Sequence, residues 1–252
     1  MQKSRRHSLK VLTAAAAAFP LAASPRADNF SFIILDVGGT LLEDRGDVVE
    51  SLRSSMAKRD IVVSAAEIGP WRGAAKKAVI QHFVDLQSKQ SEAERQKLTS
   101  EILEDFNAQI VEAYRAVPPI AGAEEAIRKL REKNYLLATT TGFDREIVVP
   151  IFRRLGWEKY FAAIVASNDV AQGRPAPYML FHAMEIARVN SVAEVMAVGD
   201  TPLDLQAASN AGLHGMVGVL SGAGTAEQLR REPHTQILPS VASLPALLKP
   251  RS

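Results

Sequence analysis

The first strong hydrophobic run after the N-terminal region covers residues 30–35, where five of six positions are apolar, and it ends at Asp36 ahead of the Gly38-Gly39 pair. A short apolar run closed by turn residues predicts a strand buried on both faces. From residue 46 to 117 the apolar spacing becomes helical, with predicted helices over 48–58, 71–87 and 92–114, until Pro118-Pro119 stops it. After the prolines the two patterns alternate. Helices are predicted at 121–133, 144–155, 175–187 and 203–211, with strands at 135–139, 161–166, 195–198 and 214–219. A closing helix is expected over 240–248.

Alternating strands and helices imply a parallel sheet covered on both faces and joined by right-handed crossovers. The expected fold is α/β: a three-layer, Rossmann-like core built from residues 28–45 and 118–252, with an inserted α-helical cap at 46–117. In such sheets ligands bind beyond the carboxyl ends of the strands.

Charge changes the picture only once it is divided. The formal net charge is +2, but Lys3, Arg5, Arg6, Lys10 and Arg26 all fall in the first 27 residues, which hold no acid. The rest carries 25 Lys and Arg against 28 Asp and Glu, a net of −3, so no electrostatic footprint for nucleic acid is present. The leader itself has a basic stretch, an alanine-rich apolar stretch and then small residues, which resembles a twin-arginine export signal. Export to the periplasm is expected, with a cytoplasmic location as the alternative, and no membrane association of the mature chain. The absence of cysteine excludes thiolate nucleophiles and cysteine metal sites.

Four predicted strand ends carry polar or glycine-rich clusters: Asp36-Val37-Gly38-Gly39-Thr40, Thr140-Thr141-Gly142-Phe143, Gly173-Arg174-Pro175 and Gly199-Asp200-Thr201-Pro202-Leu203-Asp204. One such cluster is ordinarily a cap or a turn. Four in a parallel sheet gather on one edge and point to a site.

Their order resembles the haloacid dehalogenase superfamily over residues 30–248. The resemblance implies Asp36 as a nucleophile that becomes phosphorylated, and Thr141, Gly142 and Arg174 as the groups that bind the transferring phosphoryl. It also implies Mg²⁺ held by Asp36, the Gly38 carbonyl and Asp200, with Asp204 in support.

Phosphatases of that superfamily carry a second aspartate two positions after the nucleophile, where this chain has Gly38. The branch lacking it is the phosphonatase group, represented by phosphonoacetaldehyde hydrolase, in which a cap lysine forms a Schiff base with the substrate. Gly73-Ala74-Ala75-Lys76 is similar to that branch's G-x-x-K, and Lys76 shares a helical stripe with Val79, Ile80 and Phe83. A cap histidine, methionine and tyrosine of that enzyme fall at Val79, Arg72 and Phe143, so the looser phosphonatase-like group is the nearer match. The expected activity is Mg²⁺-dependent hydrolysis of a small phosphonate or organophosphate. A phosphomonoesterase is the first alternative, and a non-catalytic relative that binds a phosphate ligand is the second. Besides the phosphorylated or phosphonate substrate, a homodimer is the other partner left open.

Overall fold

The computed structural model describes residues 30–251, so the leader and its export motif lie outside the described residues. The chain order is β1 (Phe32–Asp36), then the helices α1 (Asp47–Ala57), α2 (Ala65–Ile68), α3 (Lys76–Gln87), α4 (Glu92–Tyr114) and α5 (Ala123–Glu132). There follow β2 (Leu136–Thr140), α6 (Arg145–Leu155), β3 (Ala163–Val165), α7 (Tyr178–Ala187), β4 (Val195–Gly199), α8 (Pro202–Asn210) and β5 (Gly215–Val219). The chain closes with α9 (Ala226–Arg230), β6 (Gln236–Leu238) and α10 (Leu244–Leu247).

All six strands form one parallel sheet in the order β3-β2-β1-β4-β5-β6, with Asp36 in register with Thr140. β1 is central and buried along its length because its alternate side chains serve two cores. Ile33 and Leu35 join Ile127 and Leu130 of α5 on one face, and Phe32 and Ile34 join Met179 of α7 and Ala207 of α8 on the other. The chain winds from β1 towards β3 and then crosses to β4 on the opposite side. The carboxyl ends of β1 and β4 therefore flank the switch point, where an open α/β sheet leaves a crevice.

The inserted helices pack mainly on α4, whose Ile102, Phe106 and Ile110 recur every fourth residue and are fully buried. Ser91 and Glu94 start α4 with reciprocal side-chain to backbone bonds. α3 begins later than expected. Gly69–Trp71 is a separate tight turn containing Pro70, and Gly73 has φ 90°, which no helix continues through. Lys76 is therefore the first residue of α3.

The sequence reading also missed α2, α9 and β6. β6 has three residues with only Leu238 buried, too short to register as a periodic pattern. The closing segment is a tight turn at Val241–Ser243 followed by the four-residue α10, because Pro245 cannot sit deeper in a helix.

The cap reaches the sheet through residues 73–76. A Cβ added to Gly73 would lie 2.5 Å from Thr201 Oγ1, and one added to Gly142 would lie 2.5 Å from the Ala74 carbonyl oxygen and 2.9 Å from that of Gly73. The contact is thus backbone on backbone, with no room for side chains. Gly142→Ala is expected to lower stability by about 1–3 kcal/mol through overpacking, read as a shift in the urea midpoint at unchanged slope.

Candidate active site

Each of the four motif clusters occupies the carboxyl edge of the sheet. Asp36 ends β1, Thr141 follows the end of β2, and Asp200 follows the end of β4. Asp204 lies in the first turn of α8, where its Oδ2 accepts from Thr201 N at 3.0 Å and from Thr201 Oγ1 at 2.6 Å. Arg174 enters from the loop before α7, and only 6% of its surface is exposed. Its Nη1 lies 2.7 Å from Asp36 Oδ1 and 2.9 Å from Asp204 Oδ1. Its Nη2 donates to Thr140 Oγ1 at 2.7 Å and to Thr140 O at 3.0 Å, while Nη1 reaches the cap at Gly73 O, 3.4 Å away. Thr140, which the motif reading passed over, is the threonine that holds Arg174. Thr141 lines the cavity and its Oγ1 accepts from Phe143 N at 3.2 Å.

Carboxylate oxygens of Asp36, Asp200 and Asp204 lie within 4.8 Å of one another, all on buried residues. Burial pushes the Asp36 carboxyl up to about 7; Arg174 opposes that shift and Asp204 adds to it. Asp200 is driven well above the usual carboxylate range, first by burial and then by Asp36 and Asp204. Arg174 is held above its ordinary value: burial works against its charge, and Asp204 and Asp36 overcome that.

Asp200 Oδ2 accepts from Ala223 N at 2.6 Å, but its buried Oδ1 has no partner among the described residues. Three close carboxylates, one of them with an orphaned oxygen, suit a hard divalent cation that prefers oxygen ligands. Asp36 and Asp200 fit as its direct holders together with the Gly38 segment. Asp204 has both oxygens taken by Arg174 and Thr201, so it supports from behind.

The cap closes a cavity of about 60 Å³ over these residues. Lys76 forms part of its wall, 7% exposed, with Nζ donating to Ala74 O at 2.8 Å and lying 5.3 Å from the centre of the Phe143 ring. Burial lowers the Lys76 ammonium to about 8, although Asp36 pulls the other way. Its place at the positive end of α3 acts in the same direction as burial. Gly142 leaves the space that Nζ occupies, since a Cβ there would lie 3.0 Å from it.

Gly38 also lines the cavity, and a Cβ built on it would meet only Phe143 Cε2, at 4.0 Å. A side chain at 38 is sterically allowed, and the acid is missing for another reason. Asp44, Arg72 and Tyr114 also line the wall, and sequence reasoning gave none of them a role. Arg72 pairs with Asp44, and Tyr114 packs edge-on against Phe143 at 5.1 Å. The Tyr114 hydroxyl is kept protonated chiefly by burial, and by Asp44 and Asp47 nearby.

A phosphoglycolate phosphatase of Cupriavidus necator is 25% identical over 224 residues, which is 86% of this chain and 93% of that enzyme. A phosphonoacetaldehyde hydrolase of Bacillus cereus is 35% identical over 111 residues, 43% of this chain and 41% of that enzyme, so that match spans less than half of either.

Among solved structures, a phosphonoacetaldehyde hydrolase-like protein of Oleispira antarctica superposes with a TM-score of 0.74 at 19% identity, covering 90% of this chain and 94% of the other. A haloacid dehalogenase-like hydrolase of Bacteroides fragilis superposes with a TM-score of 0.73 at 17% identity, covering 85% and 99%. These two likenesses establish the fold. The family model for haloacid dehalogenase-like hydrolases matches residues 30–212, the whole span from β1 through α8, and the chain belongs to that family.

Proposed function

We propose that this hydrolase cleaves the phosphorus–carbon bond of a small phosphonate bearing a carbonyl one carbon away from phosphorus. The observation that carries the reading is Lys76: a buried amine lowered to about 8, on the wall of the cavity that holds Asp36. Carbon leaves phosphorus only as a stabilised carbanion. An imine at the neighbouring carbonyl supplies the electron sink.

The neutral Lys76 amine adds to the carbonyl, and the adduct takes up one proton from solvent as it loses water, giving a protonated imine. Asp36 attacks phosphorus, the phosphorus–carbon bond breaks, and its electron pair moves into the enamine. The phosphoryl group is now on Asp36, and water hydrolyses it to phosphate. Protonation of the enamine carbon and hydrolysis of the imine release the carbonyl product and restore Lys76.

Throughout, Arg174 fixes Asp36 and offsets charge on the phosphoryl oxygens, and the backbone around Thr141 and Gly142 lines the same volume. Mg²⁺ would be held by Asp36 and Asp200 and would supply charge neutralisation for a dianionic group beside carboxylates.

The second reading is phosphomonoester hydrolysis, favoured by the likeness to phosphoglycolate phosphatase over most of both chains. It requires a proton for a leaving alcohol, and Gly38 provides none.

Four measurements test these assignments. Asp36→Asn keeps the shape of the residue and should cost about 10⁴-fold in turnover. Borohydride should trap a carbonyl phosphonate on Lys76, identified by peptide mass, and Lys76→Arg should lose both the adduct and the turnover. Wild-type rates in Lys76→Arg without an adduct would leave the esterase reading in front. Because the amine is free only above its lowered value of about 8, kcat/KM for the phosphonate should climb with pH up to about 8 and then level.

Mg²⁺ should raise the Tm by mass action, by about 2.7 kcal/mol of stabilisation at a hundredfold excess over Kd. Asp200→Asn relieves carboxylate repulsion, so the metal-free variant should melt at or above wild type while losing the Mg²⁺ response. A wild-type chain whose Tm ignores Mg²⁺ would remove the metal from the proposal.

A further inference from the structure

Arg72 has no part in the steps above, yet it borders the same cavity as Asp36, Lys76 and Arg174. Its placement is enforced. Nη2 pairs with Asp44 Oδ2, and Asp44 Oδ1 in turn accepts from Gly46 N at 2.9 Å. Both oxygens of Asp44 are engaged by donors, so this carboxylate orients Arg72. Among the described residues Asp44 is the one ion-pair and hydrogen-bond partner of the Arg72 side chain, which leaves Nε and Nη1 without acceptors.

Arg72 also lines, together with Thr201 and Ala223, a wider groove of about 630 Å³ between cap and core. These three residues border both spaces. Arg72 therefore stands where the groove meets the closed cavity.

Arg72 and Lys76 come from the same five-residue stretch of the cap, and among the described residues Asp44 is the one carboxylate bonded to either of them. With Lys76 serving as a neutral amine, the guanidinium nitrogens that Asp44 leaves open are what this part of the wall offers an anion. The phosphoryl end of a substrate is already provided for by Arg174 at the sheet edge, and a cavity of about 60 Å³ leaves little length beyond it. Whatever is attached to phosphorus must run along residues 72–76 towards the groove. A planar guanidinium with two open nitrogens is matched by a carboxylate, which accepts from both at once.

The geometry points to Arg72 as a specificity-determining residue that reads a carboxylate on the end of the substrate remote from phosphorus. The substrate class is then the short phosphonates or phosphates that also carry a carboxylate. In a keto acid of this kind the carbonyl falls between phosphorus and carboxylate, in the order Arg174, Lys76, Arg72. This inference rests on the proposed function for its phosphoryl site and adds the group at the opposite end.

Binding of matched, uncleaved phosphonates separates the two. In calorimetry with Mg²⁺ present, phosphonoacetate should bind wild type about 10- to 100-fold more tightly than ethylphosphonate, the range of a charge-assisted pair. Arg72→Met should bring the ratio to within about threefold of one. Arg72→Gln is the second variant should the first fold poorly, and Arg72→Lys should keep part of the preference. In turnover the same variants should raise KM for a carboxylated substrate more than they lower kcat.

Equal affinity of wild type for the two ligands, or a ratio that survives in Arg72→Met and Arg72→Gln, overturns the role of Arg72 and leaves the phosphoryl site standing. If neither phosphonate binds, the phosphoryl site fails and both readings fall together.

Discussion

The structure is organised around an electrostatic deficit. Asp36 and Asp204 pair with one buried guanidinium at the carboxyl edge of the sheet, and Asp200 lies beside them as a third carboxylate. Arg174 cannot neutralise all of them. The excess appears as Asp36 and Asp200 shifted upward and as an Asp200 oxygen with no partner among the described residues. Such a cluster is costly in an isolated fold, because unpaired buried charge is disfavoured by several kcal/mol. It becomes favourable when cationic charge enters, and that cation can then attract the dianionic group the carboxylates would otherwise repel. Strain of this kind at a strand-end crevice is the mark of a site built to bind, and the surrounding hydrophobic layers provide the stability that permits it.

The cap answers the deficit from the other side. Gly73, Gly142 and Gly173 remove the side chains that would hold cap and core apart, so that residues 73–76 press on the strand ends; a Cβ on Gly173 would lie 3.0 Å from that of Ala75. Arg174 spans the seam, since the guanidinium that pins Asp36 also reaches the Gly73 carbonyl. In this arrangement Lys76 lies over Phe143 with its amine withdrawn from water. The lowered value of Lys76 is a consequence of that burial between cap and core.

The core was legible in the sequence for a simple reason: a parallel strand buried on both faces is a continuous apolar run, and the residue that follows it lies at the sheet edge. Asp36, Thr141 and Asp200 could be placed from that rule, and the cavity brings them together with Arg174 and Lys76. The cap was legible only as helices. Tyr114 reads as the last position of the predicted helix at 92–114, Arg72 falls inside the one predicted at 71–87, and Asp44 carries no motif. Tyr114 reaches the wall because α4 ends beside Phe143, and Asp44 joins it through its pair with Arg72, which no local pattern encodes. Lys76 falls between these cases. Its G-x-x-K run was visible, whereas its position as the first residue of α3 depends on the left-handed Gly73 just before it.

Gly38 and Lys76 are best understood as one choice. The space beside Gly38 is open to a side chain, and the nearest atom it would meet belongs to the same Phe143 ring over which Lys76 lies. A carboxylate in that space would share the Phe143 ring with the amine and favour its ammonium form, as Asp36 already tends to do. An acid at 38 would serve a leaving alcohol, whereas the proposed imine chemistry needs a free amine at 76, and the two requirements oppose each other across one small cavity. On that proposal the glycine does more than omit a proton donor: it leaves the amine without a further carboxylate to hold its proton.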